Sequence, residues 1–444
     1  MLKKIARFFV GVTEKYMPDP YLFAVILTAI VFIVSLVFTD ATPFNLISIW
    51  GNGLWGLLAF TMQMCTIIVF GTAFAKTPAI EKVLDWFCNK AKKPTHAYFM
   101  ASFVAGLFSL LCWSTGLIVG AFMARELSKR VKGCHYPLLV AAGYSGFLTF
   151  QQGLTGSVSL LIATPGNFME DIIGGLIPVS QTMLAPYNLI VAGLLAFILV
   201  PLLLTRLAPD SSVDEIVEVD PSIFGDDSKS VNLDKSQLTP GEKIENARII
   251  NIVVGIVGII FLSRHFVGGG SLTINITNML FFILAILLTD TPRRFIDNCI
   301  EGGKSLGPLA MQFPLYAGIM AMMIQTGLAT KIANGFVSIS TTTTFPLWTF
   351  ISAGITNFFI PSGGSQWSVQ GPIMIEAAKM MDADLARTAM AVAWGDQWTN
   401  MLQPFWALPL LAIANLRARD IMGYLVLVFI LSGIVFGLGI MFLP

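Results

Sequence analysis

The sequence predicts an all-α polytopic membrane protein made of two inverted repeats, with about nine transmembrane helices and two re-entrant helical hairpins. Three observations lead there: apolar runs of bilayer length, self-similarity at one constant offset, and polar breaks at matching positions of the two halves. Composition sets the class. The chain is 55% hydrophobic and 12% charged, against roughly 25% charged in a soluble domain. Runs such as YLFAVILTAIVFIVSLVF (Tyr21 to Phe38) and YLVLVFILSGIVFGLGIMFL (Tyr424 to Leu443) carry no charge and are long enough to cross a bilayer. A net charge of +1 without a basic face argues against a nucleic-acid partner. The cysteines and histidines are scattered without metal-ligand spacing, so they read as packing and interfacial residues.

Residues 1–20 carry lysines and a short apolar patch followed at once by Glu14 and Lys15, which reads as a retained interfacial amphipathic helix. The first repeat occupies residues 21–206. Residues 207–247 hold ten acidic residues, three lysines and three prolines; such a segment cannot bury a core and reads as a cytoplasmic linker. A connecting helix at 248–266 leads into the second repeat at 272–444. Self-similarity joins the two: TPFNLISIWGNGLWGLLAFTMQM (Thr42 to Met64) lies over TPRRFIDNCIEGGKSLGPLAMQF (Thr291 to Phe313), at an offset of 249 residues. The same offset places CWSTG (Cys112 to Gly116) on PSGGS (Pro361 to Ser365).

Charge sets the orientation. Lys3, Lys4 and Arg7 put the N-terminus inside, and the 76–96 loop adds Lys82, Lys90, Lys92 and Lys93. The matching loop at 325–345 has only Lys331, so the second half is expected upside down. Residues 98–124 could cross or turn back. Crossing would leave Arg125, Lys129, Arg130 and Lys132 outside, and the return arm has about nine residues, or roughly 14 Å. A hairpin is therefore expected near 98–124, and its counterpart near 346–378. An odd number of crossings then separates the repeats, with the C-terminus outside.

The breaks carry the functional reading. A helix interrupted by Gly and Pro at membrane depth is tolerated only where protein or a water-filled cavity satisfies its backbone. Paired breaks in inverted repeats point to a transporter's substrate site. At each tip a helix is expected to begin, near Gly116 and Gly364, with its free N–H groups and positive dipole end available to an anion. Ser114, Thr115, Ser362 and Ser365 add hydroxyls, and Gly116, Gly363 and Gly364 allow close approach to the backbone. The second break of each half supplies Gln151, Gln152 and Thr155, and Gln397, Thr399 and Asn400. Neutral amides without Arg or Lys suit a small singly charged acid better than a dicarboxylate or phosphate. Asp396 is the one acid in these breaks; it could carry a coupling proton, help hold Na⁺, or serve as a structural hydrogen-bonding group. For Gly and Ser elsewhere in the helices, close packing is the simpler account. A membrane enzyme lacks the nucleophile, metal cluster or paired carboxylates it would need, and no GxxxxGK[ST] loop supports ATP-driven transport. An anion channel stays open as an alternative.

MPDPYLFAVILT, YPLLVAAGYSGFLT, LIATPGN, QFPLYAGI, PSGGSQWSVQGP and QPFWALPLLAIANLRARDIMGY together resemble the short-chain fatty acid transporter family, from about Pro18 to the C-terminus. The resemblance implies a secondary carrier in the bacterial cytoplasmic (inner) membrane, taking short monocarboxylates such as butyrate or acetoacetate. It implies no cofactor beyond a coupling H⁺ or Na⁺, and it leaves open a homodimer and a different small organic anion as cargo. The family is distantly similar to the citrate and divalent-anion carriers of the ion transporter superfamily. Those mark each hairpin tip with Ser-Asn-Thr, whereas here the tips read WSTG and PSGGS, so their sodium ligands do not carry over. Members of the family carry Glu where this chain has Asp396, so the carboxylate is kept with a shorter reach.

Overall fold

A computed structural model describes residues 20–209, 216–219, 238–403 and 406–444. The expected interfacial helix at the N-terminus and most of the acidic linker lie outside the described residues. What is described is helical, with no strand among the described residues. Seven of its helices are long and apolar enough to cross a membrane.

The first half runs α1 (Pro20–Phe38), α2 (Pro43–Gly53), α3 (Leu58–Ala75), α4 (Pro78–Cys88), α5 (Pro94–Leu111), α6 (Trp113–Arg130) and α7 (Tyr136–Ser145). Helix α7 tightens into a 3₁₀ stretch, Gly146–Gln152, and resumes as α8 (Ser157–Ile162). After the short α9 (Glu170–Ile173), α10 (Pro186–Arg206) contains a π-helical stretch, Leu194–Leu199, just ahead of Pro201. A proline lacks the N–H that would close an α-turn there. Residues 216–219 lie across the start of α7: Tyr136 N–H donates to Val217 O at 2.8 Å, and Gly133 N–H to Glu218 Oε1 at 2.6 Å.

The connecting helices are α11 (Pro240–Glu245) and α12 (Arg248–Val267). The second half then runs α13 (Ile274–Leu287), α14 (Pro292–Gly303), α15 (Gly307–Gln325), α16 (Leu328–Ile339), α17 (Phe345–Asn357), α18 (Gly363–Met380) and α19 (Leu385–Thr399). A 3₁₀ stretch, Asn400–Leu402, follows, and the chain ends with α20 (Leu408–Ala414) and α21 (Ala418–Phe442).

Local chemistry recurs along with element order. Thr42 caps α2 by accepting from Asn45 N–H and Thr291 caps α14 by accepting from Arg294 N–H, both at 3.3 Å, each followed by a proline. A Thr cap with Pro at the first helical position satisfies an orphan donor and pre-sets φ.

Packing is reciprocal between the halves. Helix α2 lies on α15 and α14 on α3, α1 on α15 and α13 on α3. Residue by residue, a Cβ on Gly302 would meet Val69 and Thr72, while one on Gly53 would meet Gly318 and Ala321, the residues 249 positions later. A two-fold relation produces this i-to-j, j-to-i pattern. The helices that follow show the same reciprocity. Helices α4 and α14 are joined by Arg294 to Glu81 at 3.5 Å, with Lys76 to Glu301 at 3.7 Å beside them. Lys331 of α16, the equivalent of α4, donates to Phe38 O next to α2.

The first hairpin differs from expectation in length. Helix α6 continues through Arg125 to Arg130, giving it 18 residues rather than an arm ending at Ala124. Its charged last turns are held by Arg130, which reaches Asp85 at 2.6 Å and Glu126 at 3.1 Å. These pairs allow the helix to continue past the end of its apolar stretch.

Candidate functional site at the second hairpin tip

The extended residue Ser362 (φ −160°) ends the turn after α17, and α18 starts at Gly363. The Ser362 side chain makes no capping bond, so the first-turn N–H groups of α18 lack an intrahelical acceptor and a side-chain cap from that residue. Ser365 in the same turn is fully buried, and its hydroxyl has no hydrogen-bond partner in the protein.

The second breaks of both halves converge on this helix start. Asp396, 1% exposed, accepts at Oδ2 from Gln151 Nε2 at 3.0 Å. Gln151 is held from its other side: its Oε1 accepts from Ser157 N–H at 2.9 Å and its backbone N–H donates to Gln397 Oε1 at 2.9 Å. Because Ser157 N–H occupies the amide oxygen, the amide nitrogen must face the carboxylate. Asp396 Oδ1 and Gln397 Nε2 have no protein partner. A Cβ on Gly363 would lie 2.9 Å from Asp396 Oδ2 and 2.8 Å from Ser157 Oγ, and would collide with Gln151 Nε2. Glycine is needed here for close approach. The group that approaches is the protein's own amide and carboxylate. The buried carboxylate therefore faces a helix N-terminus, where the dipole favours negative charge.

The other expected residues divide. Asn357, at the end of α17, brings Thr399 and Asn400 together: its Nδ2 lies 2.9 Å from Thr399 Oγ1, 2.8 Å from Asn400 Oδ1 and 2.7 Å from Asp396 O. Gln152 turns away, donating weakly to Asn188 O at 3.5 Å, while Asn188 ties it to Trp394 Nε1. At the first tip the helix begins at Trp113, three residues before the expected Gly116. Thr155 Oγ1 accepts from Trp113 N–H at 3.0 Å, Thr115 donates to Gly71 O at 2.8 Å, and Ser114 Oγ sits 3.4 Å from Cys112 Sγ. A Cβ on Gly116 would reach within 2.7 Å of Ser109 Cα, so this glycine closes the two arms on each other. At Gly364 the space a Cβ would take is filled by the Phe60 ring, 2.6 Å away.

Sequence reasoning did not single out Ser157, Asn357 or Phe60. The first two had a signal, since each is a polar residue at the edge of a break. Phe60 had none, because it is one apolar residue in an apolar helix. Among the described residues no group of three metal-ligating side chains gathers.

Comparison with known proteins agrees with this fold. Two solved structures share it: the Alcanivorax borkumensis YdaH transporter, described as having an unusual topology, and MtrF of Neisseria gonorrhoeae, described as illuminating a class of antimetabolite efflux pumps. The first has a TM-score of 0.62 at 14% identity, covering 95% of this chain and 98% of its own. The second has 0.64 at 16%, covering 97% of each. Relatives provisionally named short-chain fatty acid transporters are more similar in sequence. The one from Escherichia coli (strain K12) is 39% identical over 99% of both chains. The one from Haemophilus influenzae (strain ATCC 51907 / DSM 11121 / KW20 / Rd) is 39% identical over 100% of both. The family description "Short chain fatty acid transporter" matches residues 1–443. The chain therefore belongs to the short chain fatty acid transporter family, multi-pass membrane proteins that are transporters and not enzymes.

Proposed function

We propose that the protein is a cation-coupled secondary carrier of short monocarboxylates such as butyrate or acetoacetate in a bacterial cytoplasmic membrane, and that Asp396 is its coupling group. One observation carries the proposal: the buried Asp396 carboxylate lies beside the uncapped start of α18 with Oδ1 unpartnered. An anionic substrate seeking the same N–H groups meets that charge. Two unit charges about 5 Å apart repel by on the order of 3 kcal/mol at an effective dielectric near 20. Neutralising Asp396 with a proton or Na⁺ removes the conflict, so cation and substrate bind together. The neutral amides around the site, with no Lys or Arg in the breaks, fit one substrate charge.

Uptake of labelled butyrate and acetoacetate into proteoliposomes, under imposed proton or sodium gradients, tests the reading. Saturable uptake above equilibrium, driven by one of the gradients, is expected. A non-saturating conductance would make the protein a channel, and no uptake of either acid would reject the substrate class.

The reciprocal packing of equivalent helices supports two-fold-related halves, and the lysines and arginines of residues 1–96 support a cytoplasmic N-terminus with an external C-terminus. Single cysteines placed in 76–96 and 125–135 should react with an impermeant thiol reagent only from the cytoplasmic side, and those in 329–345 and 379–387 only from outside. The background lacks the five native cysteines. External labelling within 125–135 would remove the first hairpin.

Ser114→Ala and Ser362→Ala are each expected to raise the half-saturating butyrate concentration by roughly ten- to a hundredfold, the effect of one lost hydrogen bond to a charged acceptor. Unchanged affinity in both would make the hydroxyls structural.

A further inference from the structure

Phe60 lies between the second hairpin tip and a cavity of about 140 Å³. One side of its ring rests on Gly364, 2.6 Å from where a Cβ would stand. The cavity is lined by Phe60, Leu161 and Phe168 on one part of its wall and by the polar side chains of Gln63, Thr164 and Asn167 on another. The ring is 4% exposed and braced by Phe168 and Phe313, with centroids 5.6 and 5.8 Å away. Gly364 is the second residue of α18, one position from the glycine that faces Asp396. Polar groups thus face Gly363, and an aromatic surface covers Gly364. A short fatty acid has the same two-part chemistry, a carboxylate that seeks N–H donors and a tail that seeks apolar cover.

We infer that Phe60 determines the chain length of the acid accepted, its ring ending the space for the acyl tail and walling off the cavity behind. This rests on the monocarboxylate reading above. A smaller side chain at position 60 joins the cavity to the tip and admits longer tails. A larger one shortens the space.

The test is uptake of butyrate and hexanoate by parent, Phe60→Leu and Phe60→Trp in proteoliposomes. Phe60→Leu is expected to raise the hexanoate-to-butyrate ratio on the order of tenfold, the factor that burying two further methylene groups supplies, and Phe60→Trp to lower it. A residue that only packs would slow both acids by one factor and leave the ratio unchanged, which would overturn the inference. If Phe60→Leu does not insert, Phe60→Met keeps most of the volume with a flexible chain and carries the same readout. Failure of the parent to take up butyrate would reject the monocarboxylate reading and this inference with it. An active parent with unchanged ratios in the variants rejects the inference alone.

Discussion

Asp396→Asn is expected to abolish accumulation of butyrate against its gradient while downhill exchange partly survives. The substitution keeps shape and an oxygen to accept from Gln151 Nε2, which donates at 3.0 Å in the parent. It leaves Asn357 bonded to the Asp396 backbone carbonyl, because that contact does not use the side chain. What disappears is the negative charge. Without it, no cation is required to seat the anion and none is carried along, so the imposed gradient no longer drives uptake. Each tenfold of cation gradient is worth about 1.4 kcal/mol, and the accumulation ratio should fall by about that factor per coupled ion, to unity. Accumulation and exchange measured on the same preparation separate coupling from folding. An Asp396→Asn protein that accumulates butyrate as the parent does would show the carboxylate to be one more buried hydrogen-bonding group. Repeating the measurement with proton and sodium gradients in turn identifies which ion the parent uses.

Gly363→Ala is expected to lower transport at least tenfold with membrane insertion retained. The added methyl group collides with Gln151 Nε2 and presses on Ser157 Oγ and Asp396 Oδ2. Overpacking of this kind costs about 1 to 3 kcal/mol. Here the groups displaced are the ones that aim the amide at the carboxylate, so function should suffer more than folding. Gly364→Val should also be damaging, for a different reason: its side chain meets the Phe60 ring. Phe60→Leu in the same protein should therefore recover part of the Gly364→Val loss and none of the Gly363→Ala loss. Equal recovery of both, or of neither, would show that the two glycines do not have these separate neighbours. Retained insertion is checked by monodispersity of the purified variants.

Class, helical content and family membership were legible in the sequence, because a bilayer imposes one-dimensional rules. A span needs some twenty apolar residues, backbone polar groups must be satisfied within the segment, and duplicated halves leave a constant offset. The same rules marked where the helices break, at Gly153 and Pro361, and drew attention to Asp396 as an acid at membrane depth. They could not set the length of α6, whose last turns are held by Arg130 reaching Asp85 across to α4. Nor could they show which break residues meet. Gln151 and Gln152 are neighbours of one type in one break, yet Gln151 faces Asp396 and Gln152 faces Asn188. Gly116 and Gly363 both belong to the first turn of the helix at their tip, yet one packs on Ser109 and the other on Gln151. Each outcome depends on a partner some 7 to 245 residues away in the chain. Composition and spacing describe each segment in its own frame; direction and distance between side chains exist only once the helices have packed. Tertiary structure decided the site for that reason.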